Sequence, residues 1–261
     1  MPIIAGVVIK RVDSWTSPSR LGRLLGSGRA VLVVELPGNS SELAAAAVEG
    51  GADSILVQLN NEHPVTHMYT GGLDLEMSQI REMCETTKIP VGLHVGTQGR
   101  LSRDDWTRIR QLGVDFVAAS ILTLPPYILA DGSLNKLLYV PTGLTLEHYR
   151  SIGTFEKVVA VSLEALSQVQ PDPQLRFNAL DLVNLDTVVR LSGVPVLFRA
   201  SQDLEQEDVL VMIERGCSGL ILDPAFTGST TEHFRSIVGT YSETLKGVRK
   251  KSKFIGYTPW G

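Results

Sequence analysis

Cysteine is scarce in this 261-residue chain, and its two cysteines, Cys84 and Cys217, lie far apart without forming a CxxC pair. A disulfide framework and a zinc–cysteine site are therefore disfavoured, and a reducing cytoplasm is the expected location. No uninterrupted apolar run reaches the ~18 residues of a membrane span, so we expect no membrane insertion. The short apolar run in residues 1–10 lacks the flanking signals of a signal peptide.

Acidic and basic residues are present in nearly equal numbers. The 24 basic and 28 acidic residues give a formal net charge of −4, so nothing global predicts nucleic-acid binding. A basic run occurs at residues 246–253, where we expect a solvent-facing helix end. The hydrophobic content of 43% is typical of a globular protein with a sizeable core.

Several catalytic and cofactor-binding signatures are missing. The turn after the first predicted strand is Pro37-Gly38-Asn39-Ser40 rather than GxGxxG, so a dinucleotide site is disfavoured. GxSxG and HExxH are absent as well. No lysine ends a strand, because Lys88, Lys136 and Lys157 all precede strands, and Schiff-base chemistry is therefore not expected.

Strand-like and helix-like segments alternate eight times along the chain. The strands are apolar throughout, which is typical of a parallel sheet covered on both faces. Turns such as Gly113-Val114-Asp115 fit right-handed crossovers between parallel strands. The predicted strands are Val31–Leu36, Ser54–Leu59, Val91–Val95, Phe116–Ser120, Leu137–Val140, Val158–Ser162, Val196–Arg199 and Gly219–Asp223. The predicted helices are Ala44–Glu49 after its capping serines, Leu75–Thr86, Arg103–Leu112, Leu146–Ser151, Leu185–Leu191, Gln206–Arg215 and Thr231–Leu245, with a proline-containing connection at Pro125-Pro126.

Eight such units predict an α/β fold, a closed (β/α)8 TIM barrel, with an open doubly wound sheet as the alternative. We predict a single domain over residues 1–261, in which residues 1–30 form an N-terminal extension. The extension would contain a strand at Ile3–Ile9 and a short helix at Ser19–Leu25. Such a segment could plug the bottom of the barrel.

Polar residues stand at the C-terminal ends of the strands, where this fold places its ligand site. They are Glu35, Gln58, His94, Ser120, Thr142, Ser162, Arg199 and Asp223. Charges are costly inside a barrel unless they are paired or hydrated. The four charged or ionisable residues among them therefore predict a pocket that binds a ligand.

We assign provisional roles to these side chains. Glu35 or Asp223 would act as a base or metal ligand, His94 as an acid/base group and Arg199 as the anion binder. Gln58 and Ser120 would contact the substrate. The alternative is a structural ion-pair network, for instance Glu35 with Arg199 across the barrel.

The loop after the second strand, Asn60–Gly72, is long enough for a lid. We predict that Glu62–Gly72 forms a mobile cover, hinged at Gly71-Gly72. An irregular loop could also bring Glu62, His63 and His67 together around a divalent metal, although Pro64 argues against a helical pair. We therefore assign no metal ligand, and the sequence leaves undecided whether the protein binds a divalent metal.

Loops seven and eight form the usual phosphate site of this fold. Ser201 follows the seventh strand, and Thr227, Gly228 and Ser229 offer hydroxyls and backbone amides before a helix. This pattern suits an anion, but a plain helix cap by Ser229 or Thr230 would look the same.

Two family resemblances accompany these patterns. The segments GVPVLFRAS and QEDVLVMIERGCSGLILDPAF resemble the closing units of the ribulose-phosphate-binding barrels. That family holds phosphate with a glycine pair in loop seven and a glycine after strand eight, where Ser201-Gln202 and Asp223-Pro224 stand here. Within Ser41–Asn135, the segments AAAAVEGGADSILVQL, TGGLDLEMSQIREM, LGVDFVAASILT and DGSLN are similar to the copper-homeostasis CutC barrels. His94-Val95-Gly96 replaces the arginine-rich end of that family's third strand.

These patterns predict a lyase- or isomerase-type enzyme that acts on a small anionic metabolite, a phosphorylated one included. No cofactor is predicted, and a homo-oligomer stays open. One alternative is a metal-linked barrel like CutC. Another is a barrel without catalysis that serves as a binding or assembly module.

Overall fold

Eight parallel strands close into a barrel in the computed structural model, which describes residues 19–62, 69–96, 101–164, 177–246 and 248. The strands of the ring are β1 (Val31–Glu35), β2 (Ser54–Leu59), β5 (Val91–Val95), β6 (Phe116–Ser120), β7 (Asn135–Pro141), β8 (Val158–Glu164), β9 (Val196–Ala200) and β10 (Gly219–Leu222). Two short strands, β3 (Asn61–Glu62) and β4 (Tyr69–Thr70), lie between β2 and β5 in the chain. The ring runs β1-β2-β5-β6-β7-β8-β9-β10 and closes on β1, while β3 and β4 form a separate antiparallel pair. The predicted (β/α)8 barrel is confirmed, and the open sheet is excluded.

Helices lie between the strands of the ring. They are α1 (Arg20–Leu25), α2 (Ser41–Gly50), α3 (Leu73–Thr86), α4 (Arg103–Ile109), α5 (Pro126–Leu129), α6 (Leu146–Ile152), α7 (Ala179–Leu191), α8 (Gln206–Glu214), α9 (Pro224–Thr227) and α10 (Thr231–Lys246). No helix in the described part of the chain is both long enough and apolar enough to cross a lipid bilayer.

Local capping chemistry explains where these helices begin. The Ser40 hydroxyl accepts from the Leu43 amide at the start of α2, and Gly51 ends that helix in the left-handed region at φ 93°. Helix α7 starts at Ala179, six residues before the predicted start, because Asn178 and Asp181 form a capping box. The proline connection contains the short helix α5, since proline is well tolerated in a first helical turn.

Alternate residues of β1 belong to two cores. Val31 and Val33 of β1 belong to the interior cluster, whereas Leu32 and Val34 belong to the larger cluster that includes residues of the surrounding helices. The same alternation along β6, β7, β9 and β10 decides which of their side chains enter the barrel. In β1 it places Glu35, two residues beyond Val33, inside.

The N-terminal end of the barrel is plugged by α1, as the sequence predicts. Leu21 and Leu25 belong to the interior cluster, and Ser19 caps the helix. The Asp115 carboxylate, just before β6, accepts from the backbone amides of Arg20 and Leu21 at 2.9 Å each. The predicted strand at residues 3–9 lies outside the described residues. With this end filled, the C-terminal ends of the strands are the side at which a ligand would bind.

Candidate active site

Four inward-facing side chains form a closed ring across the C-terminal half of the barrel. They are Glu35, His94, Tyr139 and Arg199, from β1, β5, β7 and β9, which alternate around the barrel. Each contacts the next: Glu35 with His94, His94 with Tyr139, Tyr139 with Arg199, and Arg199 with Glu35. Barrel interiors are built in such four-residue layers from alternate strands, usually of branched aliphatic side chains. Here one layer is polar and aromatic.

Glu35 is the fully buried member of the ring, with 0% of its surface exposed. One carboxylate oxygen, Oε1, contacts His94 Nδ1, and the other, Oε2, accepts from Arg199 Nη2 at 2.8 Å. Burial is the largest influence on the pKa of Glu35 and raises it. The charge of Arg199, together with the electrostatic interaction and the hydrogen bond with His94, more than offsets burial and holds the pKa below its ordinary value. Glu35 is therefore an ionised carboxylate.

His94 has its two ring nitrogens in different surroundings. Because an ionised carboxylate can only accept, Nδ1 of His94 carries the proton that it donates to Glu35. Nε2 makes no hydrogen bond to any residue that the structure describes, and the side chain is 10% exposed. Nε2 is thus the atom through which His94 can take or give a proton.

Asp223 adds a second carboxylate beside the ring. Its Oδ2 lies 2.8 Å from Arg199 Nη2, and its Oδ1 accepts from the Ala225 amide at 2.7 Å as the N-cap of α9. Both carboxylate oxygens of Asp223 therefore have protein partners. Four residues that the sequence singled out, Glu35, His94, Arg199 and Asp223, lie in contact, and the ion pair between Glu35 and Arg199 that was the structural alternative is present.

Tyr139 was missed by the sequence analysis. The polar residue chosen for its strand was Thr142, which the structure places just after β7 and leaves half-buried. Tyr139 instead faces inward with Leu137, two residues earlier, in the interior cluster. The period-two spacing from Leu137 was the available signal, but a tyrosine inside an apolar run resembles ordinary core.

Gln58 faces inward but is engaged by the protein at both ends of its amide. Nε2 donates to the Leu36 carbonyl, and Oε1 accepts from Asn61 Nδ2. Asn39 pairs with the Gln58 backbone and also donates to Glu76 Oε2 at 2.7 Å. These bonds connect the loops that follow β1 and β2. A role for Gln58 in substrate contact stays a prediction.

The remaining interior hydroxyls differ in access. Ser120 ends β6, is half-buried, and accepts from the Leu122 amide at 3.3 Å. Ser162 of β8 is fully buried, and its Oγ has no hydrogen-bond partner among the described residues. Of these two serines, Ser120 is the one with its hydroxyl near the rim of the barrel.

The predicted anion loop is largely occupied by its own bonds. Thr227 is buried, and its hydroxyl and amide both bond to the Asp223 carbonyl. The Gly228 amide donates to the Pro224 carbonyl, and Gly228 adopts φ 67° as the C-cap of α9. Ser229 is exposed. Ser201 follows β9 and is half-buried. The assignment of these residues to an anion stays a prediction.

Only part of the predicted cover is described. The β3–β4 pair joins Asn61 to Thr70, and the Asn60 amide donates to the Gly71 carbonyl at 2.9 Å. Residues 63–68, which include His63 and His67, lie outside the described residues, and so does most of the predicted lid and metal cluster. Within the described residues, no group of three or more histidine, cysteine or acidic side chains could hold a metal ion.

Comparison with known proteins reveals similarity in structure but not in sequence. No protein-family model and no curated protein matches the sequence. A ligand-free tryptophan synthase from M. tuberculosis, mutated in its TrpA chain, superimposes with a TM-score of 0.66 at 15% identity, covering 87% of this chain and 99% of that one. A mutant tryptophan synthase α-subunit from the hyperthermophile Pyrococcus furiosus gives 0.62 at 12% identity, covering 84% and 98%.

This likeness shows the fold alone, a (β/α)8 barrel, which agrees with the barrel that both family resemblances imply. At 12–15% identity it does not carry a reaction, because one barrel fold supports many chemistries.

Proposed function

We propose that this protein is a lyase- or isomerase-type enzyme in which His94 transfers a proton to or from a small anionic metabolite. The observation that carries the proposal is the buried hydrogen bond between Glu35 and His94, with Nε2 left without a protein partner in the described part of the chain. A carboxylate behind an imidazole fixes its tautomer and stabilises the imidazolium that forms when the other nitrogen takes a proton.

The charges around His94 favour a base role. Glu35 and Asp223 contribute two negative charges and Arg199 one positive charge, so these four groups sum to −1 with a neutral imidazole and to zero with an imidazolium. Proton abstraction from a substrate therefore neutralises the site. The negative charge left on the substrate would lie near the imidazolium and Arg199, which favours carbanion-like intermediates of elimination or isomerisation.

The other ring members hold this arrangement. Asp223 and Glu35 each lie 2.8 Å from the same guanidinium nitrogen, and Asp223 is itself anchored at the start of α9. Arg199 supplies the positive charge for the anionic part of the substrate, with Ser120 at the rim as a further contact. The fold likeness to tryptophan synthase, an enzyme, is compatible with this proposal.

A second candidate is a barrel without catalysis, in which the ring is a structural layer. The observation that favours it is the engagement of Arg199 by two carboxylates, since a compensated cation attracts an anion less strongly. The enzyme and the non-catalytic barrel differ in whether His94 exchanges a proton with a bound substrate.

Deuterium exchange tests the proposed activity. The protein is incubated in D2O with a panel of small anionic carbonyl compounds (2-oxo acids, and aldose and ketose phosphates), and loss of each C–H signal is followed by proton NMR. We expect exchange with at least one compound, reduced on the order of 10²–10⁴-fold in His94→Asn. His148→Asn, at an exposed histidine of α6, is the matched control and should keep the wild-type rate. Exchange that survives in His94→Asn, or none across the panel, contradicts the proposal.

A further inference from the structure

We propose that Tyr139 is a positioning residue of this site, whose ring holds His94 and Arg199 in the orientation that the chemistry needs. The inference rests on the proposed acid–base role of His94.

The tyrosine ring contacts both the imidazole and the guanidinium of the layer. The His94 and Tyr139 ring centroids are 5.1 Å apart with an interplanar angle of 75°, and the Arg199 guanidinium carbon lies 5.1 Å from the Tyr139 centroid. Tyr139 is 1% exposed. Since His94 and Arg199 stand on strands two places away on either side of β7, the tyrosine ring bridges the barrel opposite Glu35.

A hydrogen bond at Nδ1 alone would let the imidazole pivot about the line to Glu35. The edge-to-face contact with Tyr139 opposes this motion, and the negative face of the tyrosine ring attracts the Arg199 guanidinium that lies over it. A branched aliphatic residue, which this fold usually places in such a layer, would fill the space without that attraction.

The neighbours of Tyr139 leave room for so large a side chain. Across the strands it is paired with Ser120 on β6 and with Ser162 on β8, both small. Large and small residues thus alternate around Tyr139, as a close-packed interior requires. The small side chains of Ser120 and Ser162 therefore leave space for the aromatic ring of Tyr139.

The test compares Tyr139→Leu with Tyr139→Phe, using Phe234→Leu as the matched control. Phe234 is a fully buried aromatic residue of α10 in the helix-side core. The first readout is the downfield proton resonance of His94 Nδ1–H, identified by its absence in His94→Asn. The second is the rate of deuterium exchange with whichever panel compound the wild type turns over. Tyr139→Met is a second variant that fills the site with a flexible side chain if the leucine variant does not fold.

We expect Tyr139→Leu to broaden or lose the resonance and to slow exchange on the order of 100-fold, because small displacements of a catalytic group are costly. Tyr139→Phe, which keeps the ring, should retain the resonance and most of the rate. Phe234→Leu should lower the melting temperature and leave the resonance in place. A merely structural tyrosine would behave like Phe234.

The proposal is overturned if Tyr139→Leu and Tyr139→Met keep both the resonance and the rate. It is also overturned if Tyr139→Phe loses as much as Tyr139→Leu, because the effect would then belong to the hydroxyl. If the wild type exchanges no compound, the proposed function fails, while the resonance still decides whether Tyr139 positions His94.

Discussion

Replacing Arg199 by leucine leaves Glu35 and Asp223 without the guanidinium nitrogen that lies 2.8 Å from an oxygen of each. Glu35 is 0% exposed, so water cannot take the place of that nitrogen. Removing one partner of a buried ion pair costs roughly 3–5 kcal/mol. At about 2–4 °C per kcal/mol for a chain near this size, the melting temperature should fall by about 6–20 °C at neutral pH.

The size of this loss should depend on pH. In the wild type the pKa of Glu35 is lowered, mainly by Arg199 and His94 working against burial. Its ionised form therefore contributes stability above the unfolded-state pKa, and this is lost as the pH falls through the folded-state pKa. Without Arg199, burial raises the pKa of Glu35, and protonation relieves the penalty in acid. The difference between wild type and Arg199→Leu should be largest near neutral pH and should shrink as the pH falls toward the ordinary carboxyl value of 4.5.

Thermal unfolding followed by circular dichroism between neutral and acidic pH, with and without phosphate, measures both effects. Arg235→Leu is the matched control, because Arg235 is 49% exposed and pairs with exposed Glu49, and it should change stability by about 1 kcal/mol or less. The double variant Glu35→Gln with Arg199→Leu should recover part of the loss. An Arg199→Leu protein that melts like the wild type at neutral pH, or whose loss of stability grows in acid, would show that Arg199 does not compensate a buried carboxylate. If Arg199 also binds the anion, phosphate should raise the melting temperature of the wild type and not of this variant.

Four further substitutions test the scaffold of the barrel. Asp115→Ala removes the carboxylate that accepts from the first two amides of α1, so we expect a loss of about 1 kcal/mol and faster hydrogen exchange confined to that helix. Asn178→Ala breaks the capping box of α7 and should cost about as much, read out by chemical denaturation. Gly219→Ala should prevent folding, because Gly219 has φ 149° and an added Cβ would lie 1.9 Å from the Val31 carbonyl oxygen. Gly28→Ala, where φ is 81° and nothing lies within 4 Å, should cost only about 1–2 kcal/mol and stay soluble.

The sequence predicted the barrel because its strand-like apolar runs and its helix-like amphipathic segments gave the same eightfold pattern. Apolar runs with the right length alternated eight times with capped amphipathic segments, and the bounds of β2, β5 and β6 match the prediction. The contact among the polar strand ends followed from geometry, since parallel strand ends converge. His94 and Glu35, 59 residues apart, could be placed together on that ground alone.

The details that escaped prediction depend on side-chain partners that a sequence does not show. Asn61 and the Leu36 carbonyl engage both ends of the Gln58 amide, which the sequence does not show, while substrate contact by Gln58 stays a prediction. Tyr139 was passed over because an aromatic residue in an apolar run carries no polar strand-end signal. The hydroxyl of Thr227 donates to the Asp223 carbonyl, a contact that the local sequence does not show, and the assignment of Thr227 to an anion site stays a prediction.

Binding of a substrate next to His94 Nε2 tests most directly whether His94 transfers the proton. Protein labelled with ¹⁵N in its histidine rings is titrated with a compound that the deuterium assay has identified, and the His94 nitrogens are followed by NMR. We expect that the Nε2 resonance moves on saturation, that Nδ1 keeps its bond to Glu35, and that the shift disappears in His94→Asn. A compound that is turned over while both His94 nitrogens stay unchanged would place the chemistry elsewhere and overturn the proposed role of His94.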